Sequence, residues 1–268
     1  MIWSRRVALN GVQLDEVHDA IVIRSVEPGD GKESLSAVSS AAKYGQRVTG
    51  NRRDTLDMVV KFAINIRKDN LAGRAEVLEL VNAWAARARG GAWLTLNYKT
   101  NRRLRVMLVQ APGEGSLWDY TKEFTITFRA YGVPYWEDET ATSQRIGGDI
   151  LAGTGSFALG GSMDAPIDAE LLNRSGQRVS NATITIGGVM MSFPSLKLEA
   201  SETLVIDHTD DGLLRIRIRD AGGTYRSAMG LRADSSGDDF ILSPGNISAS
   251  YSAQRACRLT VSWRCRYL

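Results

Sequence analysis

The sequence contains few of the residues that build catalytic and metal centres. Its 268 residues include two histidines, His18 and His208. A site that needs several imidazoles is therefore excluded. His208 lies among Asp207, Asp210 and Asp211, but these residues surround a predicted hairpin turn, where their side chains should diverge into solvent. We expect a protein that is not an enzyme, with no catalytic residues, no metal site and no cofactor.

Long apolar runs, strong charge and paired cysteines are also missing. No stretch approaches the roughly 18 apolar residues that span a bilayer, and the first residues do not resemble a secretory signal. The net charge is only +3, with arginines scattered through strands and turns instead of gathered on a nucleic-acid-binding face. Cys257 and Cys265 would lie roughly 26 Å apart on one continuous strand, too far for a disulfide. We expect assembly in a cytoplasm.

A long alternating strand, one amphipathic helix and further strands follow one another in the first half. Every second residue from Leu56 to Ile66 is apolar, which predicts a strand with one buried face. Asn70 can cap a helix whose apolar residues repeat at helical spacing, and Gly90-Gly91 can end it. The strands predicted after the helix are Trp93 to Tyr98, Leu104 to Gln110 and Lys122 to Tyr131. The pattern predicts a sheet with one helix packed across it.

Length and composition favour two domains. A glycine-rich stretch at 147–165 is predicted to be an ordered connector, with the first domain at 1–146 and the second at 166–268. In the second domain nearly every apolar run has strand period, including Thr183 to Phe193, Ile247 to Tyr251 and Ala256 to Trp263. This pattern indicates an antiparallel β-sandwich. The predicted fold class is mainly β, of the α+β type, with a single flanking helix.

An irregular segment at about 28–55 is rich in glycine and serine and shows no sustained hydrophobic period. A loop of this length is uncommon in a compact domain and, when ordered, is usually functional. We predict that it forms an extended arm of the first domain that packs against another subunit. The oligomer-interface residues predicted on this basis are Tyr44, Arg47, Arg52 and Arg53.

Several segments together suggest a known family. In the first half they are Ala8 to Leu14, the helix with Trp84-Ala85, and Phe124 to Ala130 followed by Tyr135-Trp136. In the second half they are Ser201 to Asp207, Leu242 to Asn246 and Trp263 to Leu268. In this order and spacing the chain resembles, over almost its whole length, the distal tail proteins of long-tailed bacteriophages, also called the Dit or phage tail family.

This resemblance implies a first domain of the tail-tube type, a β-sandwich with a flanking helix, and a second domain that is a galectin-like β-sandwich. It also implies a structural protein of the virion tail tip that forms a homo-hexameric ring. The ring would join the tail tube protein to a tail-associated adhesin or lysin and could carry a receptor-binding protein. DNA would pass through its channel without specific binding, and no membrane would be contacted.

A carbohydrate-binding protein is the alternative function. Its second sandwich would recognise cell-surface glycans by stacking an aromatic ring on a sugar, with Trp136 or Tyr225 as the candidate side chains. A hydrolase with a pair of catalytic carboxylates brought together by the fold is a third, weaker hypothesis, because no spacing in the sequence nominates such a pair.

Overall fold

The computed structural model describes residues 6–28, 32–39, 46–67, 69–113 and 123–268, and for 32–39 and 46–54 it describes the backbone alone. The chain divides into two compact units, unit 1 (Met1–Trp136) and unit 2 (Glu137–Leu268). The elements up to this division are β1 (Val7–Leu9), β2 (Val12–Gln13), β3 (Ile21–Pro28), β4 (Lys32–Ser39), β5 (Gln46–Ile64), α1 (Leu71–Ala86), β6 (Ala92–Leu96), β7 (Arg102–Gln110), β8 (Phe124–Ala130) and β9 (Trp136–Asp138).

The elements after the division are almost all strands. They are β10 (Thr142–Leu159), β11 (Ala165–Asn173), β12 (Ala182–Ile186), β13 (Val189–Phe193), β14 (Thr203–His208), β15 (Leu214–Arg219), β16 (Tyr225–Ser227), a 3-10 turn (Met229–Leu231), β17 (Ile241–Leu242), β18 (Gly245–Trp263) and β19 (Arg266–Tyr267). The described residues thus contain one α-helix and two curled antiparallel sheets, which confirms the predicted mainly-β fold with a single helix.

In unit 1 an antiparallel sheet with the order β2-β1-β6-β7-β8-β5-β3 surrounds an apolar core. Met58, Val60 and Phe62 are buried at alternate positions of β5, as period-2 patterning requires. Phe62 stacks on Phe124 of β8, with ring centroids 5.3 Å apart. The buried face predicted from Leu56 onward is therefore confirmed, although β5 begins at Gln46, ten residues earlier than the predicted strand.

The helix begins at the predicted cap, Asn70, but its last residue is Ala86, before the predicted end at Gly90-Gly91. The Gly73 N–H donates to Asn70 Oδ1 at 2.9 Å, which satisfies one of the free donors of the first turn. After Ala86 the chain continues in turns to Gly91, whose φ of +89° suits glycine. Trp84 meets the ring of Phe128 edge-on at 6.0 Å and donates from Nε1 to a carbonyl oxygen of β2 at 2.8 Å. The apolar side of α1 thus packs on the sheet.

In unit 2 the long strand β18 organises a sheet with the order β13-β12-β18-β11-β14-β15-β16, and β10 also pairs with β18. Two predicted strands, Ile247 to Tyr251 and Ala256 to Trp263, are parts of this one strand. The single run predicted from Thr183 to Phe193 is instead the hairpin β12–β13. Gly187 and Gly188, with φ of +58° and +84°, form the two-residue turn between its strands.

The glycine-rich segment at 147–165 lies largely within β10, which pairs with β18 from Trp263 to Gly245. One of its glycines explains why a linker-like composition occurs in a strand. A Cβ on Gly153 would lie 2.6 Å from Cε1 of Tyr251, so this position accepts only glycine. The division between the compact units falls after Trp136, ten residues before the boundary expected from the sequence.

The two cysteines are free thiols. Cys257 is fully buried in the core of unit 2, and burial raises its pKa to about 11. Cys265 is partly buried, and its pKa is also raised, chiefly by burial. Within the described residues, no helix has the length and apolar character that crossing a membrane would require.

Candidate assembly surfaces

A two-stranded ribbon leaves the sheet of unit 1 in the segment predicted to be an arm. β8 pairs with residues 56–62 of β5 and β3 with residues 58–64. The pairings described for residues 46–55 are with β4 alone. We call β4 with residues 46–55 of β5 the arm. Ten residues in extended conformation cover about 33 Å, so the arm projects well beyond the strands that anchor it.

The predicted interface residues are distributed between the arm and the chain that connects its strands. Tyr44 lies outside the described residues. Arg47, Arg52 and Arg53 lie on the outer half of β5, where their backbone partners on β4 are Val38, Ser34 and Glu33. The structure therefore places these three arginines on one strand of the arm, and their role in an interface stays a prediction.

Two general properties of β-strands bear on the arm. A hairpin of two strands without further partners is marginally stable in water at best. Strands without a sheet neighbour also leave backbone N–H and C=O groups available for pairing with another chain. Among the pairings described for the arm, none involves a strand other than its own two.

A second polar feature, which we call the His208 cluster, lies in unit 2. The His208 side chain is only 5% exposed. Its Nδ1 lies 2.8 Å from Asp168 Oδ1 on β11, and its Nε2 lies 2.7 Å from Asp239 Oδ1. Asp239 Oδ1 also accepts the backbone N–H of Phe240 at 2.7 Å. The imidazole therefore ties the end of β14 to β11 and to the segment that leads into β17.

The chemistry of this cluster is that of a buried imidazolium. Both ring nitrogens face carboxylate oxygens, and both can donate only if the ring is protonated. Burial by itself lowers the pKa of His208, but the hydrogen bonds to Asp168 and Asp239 outweigh it and raise the pKa to about 9. Neither nitrogen is left for a metal ion. In the described part of the chain no three His, Cys, Asp or Glu side chains form a group able to hold one.

The solvent exposure predicted for His208 was wrong. The sequence predicts an exposed turn at which the side chains of His208, Asp207, Asp210 and Asp211 diverge, but the His208 side chain is only 5% exposed. Asp207 instead binds Arg215 and Arg217, each through Nη2 at 2.6 Å. The true partners are 40 and 31 positions away in sequence, and no local spacing reveals such contacts.

The aromatic residues considered for glycan stacking are poorly placed for it. Trp136 is buried at 3% exposure, and Lys99 Nζ lies 4.8 Å from its ring centroid. Tyr225 is exposed, but the guanidinium of Arg217 covers its ring at 4.2 Å. Stacking on a sugar needs an open ring face, so the buried Trp136 does not favour the carbohydrate-binding alternative, and Arg217 takes one face of the Tyr225 ring.

Comparison with solved structures identifies the fold. The chain is similar to the Dit protein of phage SPP1, described as a paradigm of the hub adsorption apparatus in phages that infect Gram-positive bacteria. The TM-score is 0.70 with 11% identity, over 98% of this chain and 99% of that one. It is also similar to a chain of the phage P2 baseplate in its activated conformation with Ca, with a TM-score of 0.52 and 9% identity, over 97% and 98% of the two chains.

These similarities concern three-dimensional structure alone. A comparison with protein-family models finds no match, and neither does a comparison with curated protein sequences. The likeness to the SPP1 Dit protein nevertheless extends across both units. The chain therefore has the fold of a phage distal tail protein, as the resemblance in its sequence predicts.

Proposed function

We propose that this protein is a structural hub of a phage tail tip. The observation that carries the proposal is the match to the SPP1 Dit protein over nearly the full length of both chains. Fold alone does not fix function. The arm of unit 1 and the burial of the polar cluster in unit 2 support the same conclusion, because they suit assembly better than catalysis.

In the proposed assembly six copies form a ring. Heterologous contacts between different surfaces of the same chain close into a ring when the rotation between copies permits it. The arm supplies one such surface, because it extends away from its own sheet and its strands have pairing groups to offer. Arg47, Arg52 and Arg53 on the arm are the proposed contact residues, together with Tyr44 between its strands.

The ring would stand between the tail tube and a tail-associated adhesin or lysin, in a virion assembled in the host cytoplasm. DNA would pass through its centre without specific binding. A net charge of +3 per copy suits such a conduit, because a strongly basic lumen would retain DNA through counterion release. A receptor-binding protein would be a further partner.

Electron microscopy of the purified protein and of arm variants tests this proposal. We expect class averages of the unaltered protein to show six-fold rings with a central opening. Replacing residues 33–53 by a short Asn-Gly turn keeps the pairing of β5 with β8 but removes the arm, and should abolish the rings. Arg52→Ala with Arg53→Ala should weaken them, whereas the control Arg89→Ala, an exposed arginine after α1, should not. Rings that persist without the arm would contradict the role given to it.

A further inference from the structure

Unit 2 carries an exposed apolar projection on β10. The register between β10 and β18 shifts twice, between Ile146 and Ile150 and again between Ile150 and Ala152. We call residues 147–151 the β10 bulge. Its two apolar side chains, Ile150 and Leu151, are 50% and 57% exposed. Bulges of this kind re-aim side chains and are common near functional surfaces.

Surrounding contacts hold the β10 bulge in one conformation. Gly147 has φ of +67°, and a Cβ there would lie 2.9 Å from the Cα of Gly153. The Tyr251 hydroxyl lies 2.6 Å from the carbonyl oxygen of Gly148 and 2.8 Å from that of Cys257. The apolar pair is therefore presented by a fixed scaffold, which lowers the entropy cost of binding.

Arginines surround the projection. Asp149 binds Arg258 through two hydrogen bonds of 2.7 Å and Arg145 through one of 2.8 Å, and its other oxygen lies 3.4 Å from Arg174 Nε. The hydrogen bonds from Arg258 contribute most to lowering the pKa of Asp149 to about 2. The carboxylate is therefore ionised at neutral pH, and three guanidinium groups against one carboxylate leave an excess positive charge of two.

A surface of opposite charge lies on α1 in unit 1. The residues exposed along one side of this helix are Ala72, Glu76, Glu79, Leu80 and Ala83, which follow one another at helical spacing. Leu80 is 39% exposed. Two small alanines let another surface approach closely, two glutamates supply negative charge, and one leucine supplies an apolar contact. We call these five residues the α1 face.

We infer that the β10 bulge of one copy docks on the α1 face of the next copy in the ring, with Ile150 and Leu151 against Leu80 and the arginines beside Glu76 and Glu79. The two surfaces differ, so the contact is heterologous, the type that forms a ring when the rotation between copies closes. An exposed apolar centre with a charged rim has the composition of a binding hot spot. The inference rests on the proposed ring and names a contact within it.

The α1 face suits the β10 bulge better than another acidic surface among the described residues does. The hairpin turn with Asp210, Asp211 and Leu213 also combines negative charge with an exposed leucine. That turn projects as the β10 bulge does, and two projections bury little surface against each other. A 16-residue helix, about 24 Å long, offers an extended face instead.

Sedimentation velocity of the full chain over a range of concentrations tests the inference. We expect Leu151→Ser to raise the concentration at which the ring dissociates at least tenfold, because the apolar centre of the contact is lost. Leu213→Ser is the matched control, since Leu213 is 67% exposed but lies outside both surfaces, and it should change nothing. Circular dichroism confirms that each variant is folded.

A charge exchange adds a second, independent test. Arg174→Glu and Glu79→Arg should each weaken the ring about fivefold or more, and the double variant should recover much of the loss. Rings unchanged by Leu151→Ser, or a double variant no stronger than the single ones, would overturn the inference while the proposed hub function stands. A protein that stays monomeric at every concentration, both alone and with a tail tube or adhesin partner, would overturn both.

Discussion

Removing the His208 side chain should abolish a specific part of the pH dependence of stability. The pKa of His208 is about 9 in the folded protein, against an ordinary value near 6.5. Because the folded value is the higher one, the contribution is fully present below about pH 6.5 and is lost as pH rises through about 9. A difference of about 2.5 pKa units corresponds to about 3.4 kcal/mol.

Urea denaturation at several pH values between 6 and 10, followed by circular dichroism, measures this contribution. The unaltered protein should lose about 3 kcal/mol of unfolding free energy from the transition of unit 2 over this range. His208→Gln should be less stable at pH 6, because Asp168 and Asp239 then face each other without a cation between them, and it should lose much less stability on going to pH 10.

The chain provides its own control, because its only other histidine is His18. This residue lies in unit 1, where its Nδ1 accepts the backbone N–H of Ala20 at 3.0 Å. His18→Gln should leave the pH dependence of the unit 2 transition unchanged, because His18 lies in the other compact unit. Identical pH dependence in His208→Gln and the unaltered protein would refute the imidazolium bridge between the two carboxylates.

Three further predictions concern buried groups. Asn173→Ala should destabilise unit 2 by about 2 kcal/mol in denaturant unfolding, because Nδ2 lies within 3.0 Å of three backbone carbonyl oxygens in the 177–199 segment. A loss under 0.5 kcal/mol would show that these hydrogen bonds are dispensable. Trp84→Phe should lower the free energy of unfolding of unit 1 by about 2 kcal/mol, because the carbonyl oxygen of Val12 loses its hydrogen-bond donor and the core loses side-chain volume. An unchanged midpoint of denaturant unfolding would argue against that packing. In thiol labelling of the native protein, Cys265 should react well before Cys257, which is fully buried and has a pKa of about 11. Equal labelling rates would contradict the burial of Cys257 in the core of unit 2.

The parts of the fold that depend on neighbouring residues could be predicted from sequence. Asn70 caps α1 three residues before the N–H that it binds, so the signal and its partner lie within one turn. The alternation of Met58, Val60 and Phe62 likewise records which face of β5 is buried. Such patterns follow directly from helical and strand geometry.

Features that depend on distant partners could not be predicted. β18 was expected to be two strands because Gln254 and Arg255, both exposed, interrupt its alternation, but pairing with three other strands keeps it continuous. The pairing of β4 with the outer half of β5 could not be predicted because the sequence of these two strands shows no sustained hydrophobic period. The burial of His208 could not be predicted because its carboxylate partners come from β11 and the segment before Phe240.

Self-assembly is the central claim, and the mass of the unaltered protein in solution tests it most directly. One chain has a mass of 29.3 kDa, so a ring of six has about 176 kDa. Light scattering coupled to size exclusion should give that mass at high protein concentration, either alone or after addition of a tail tube or adhesin partner. A mass of one chain at every concentration, with and without those partners, would contradict the account.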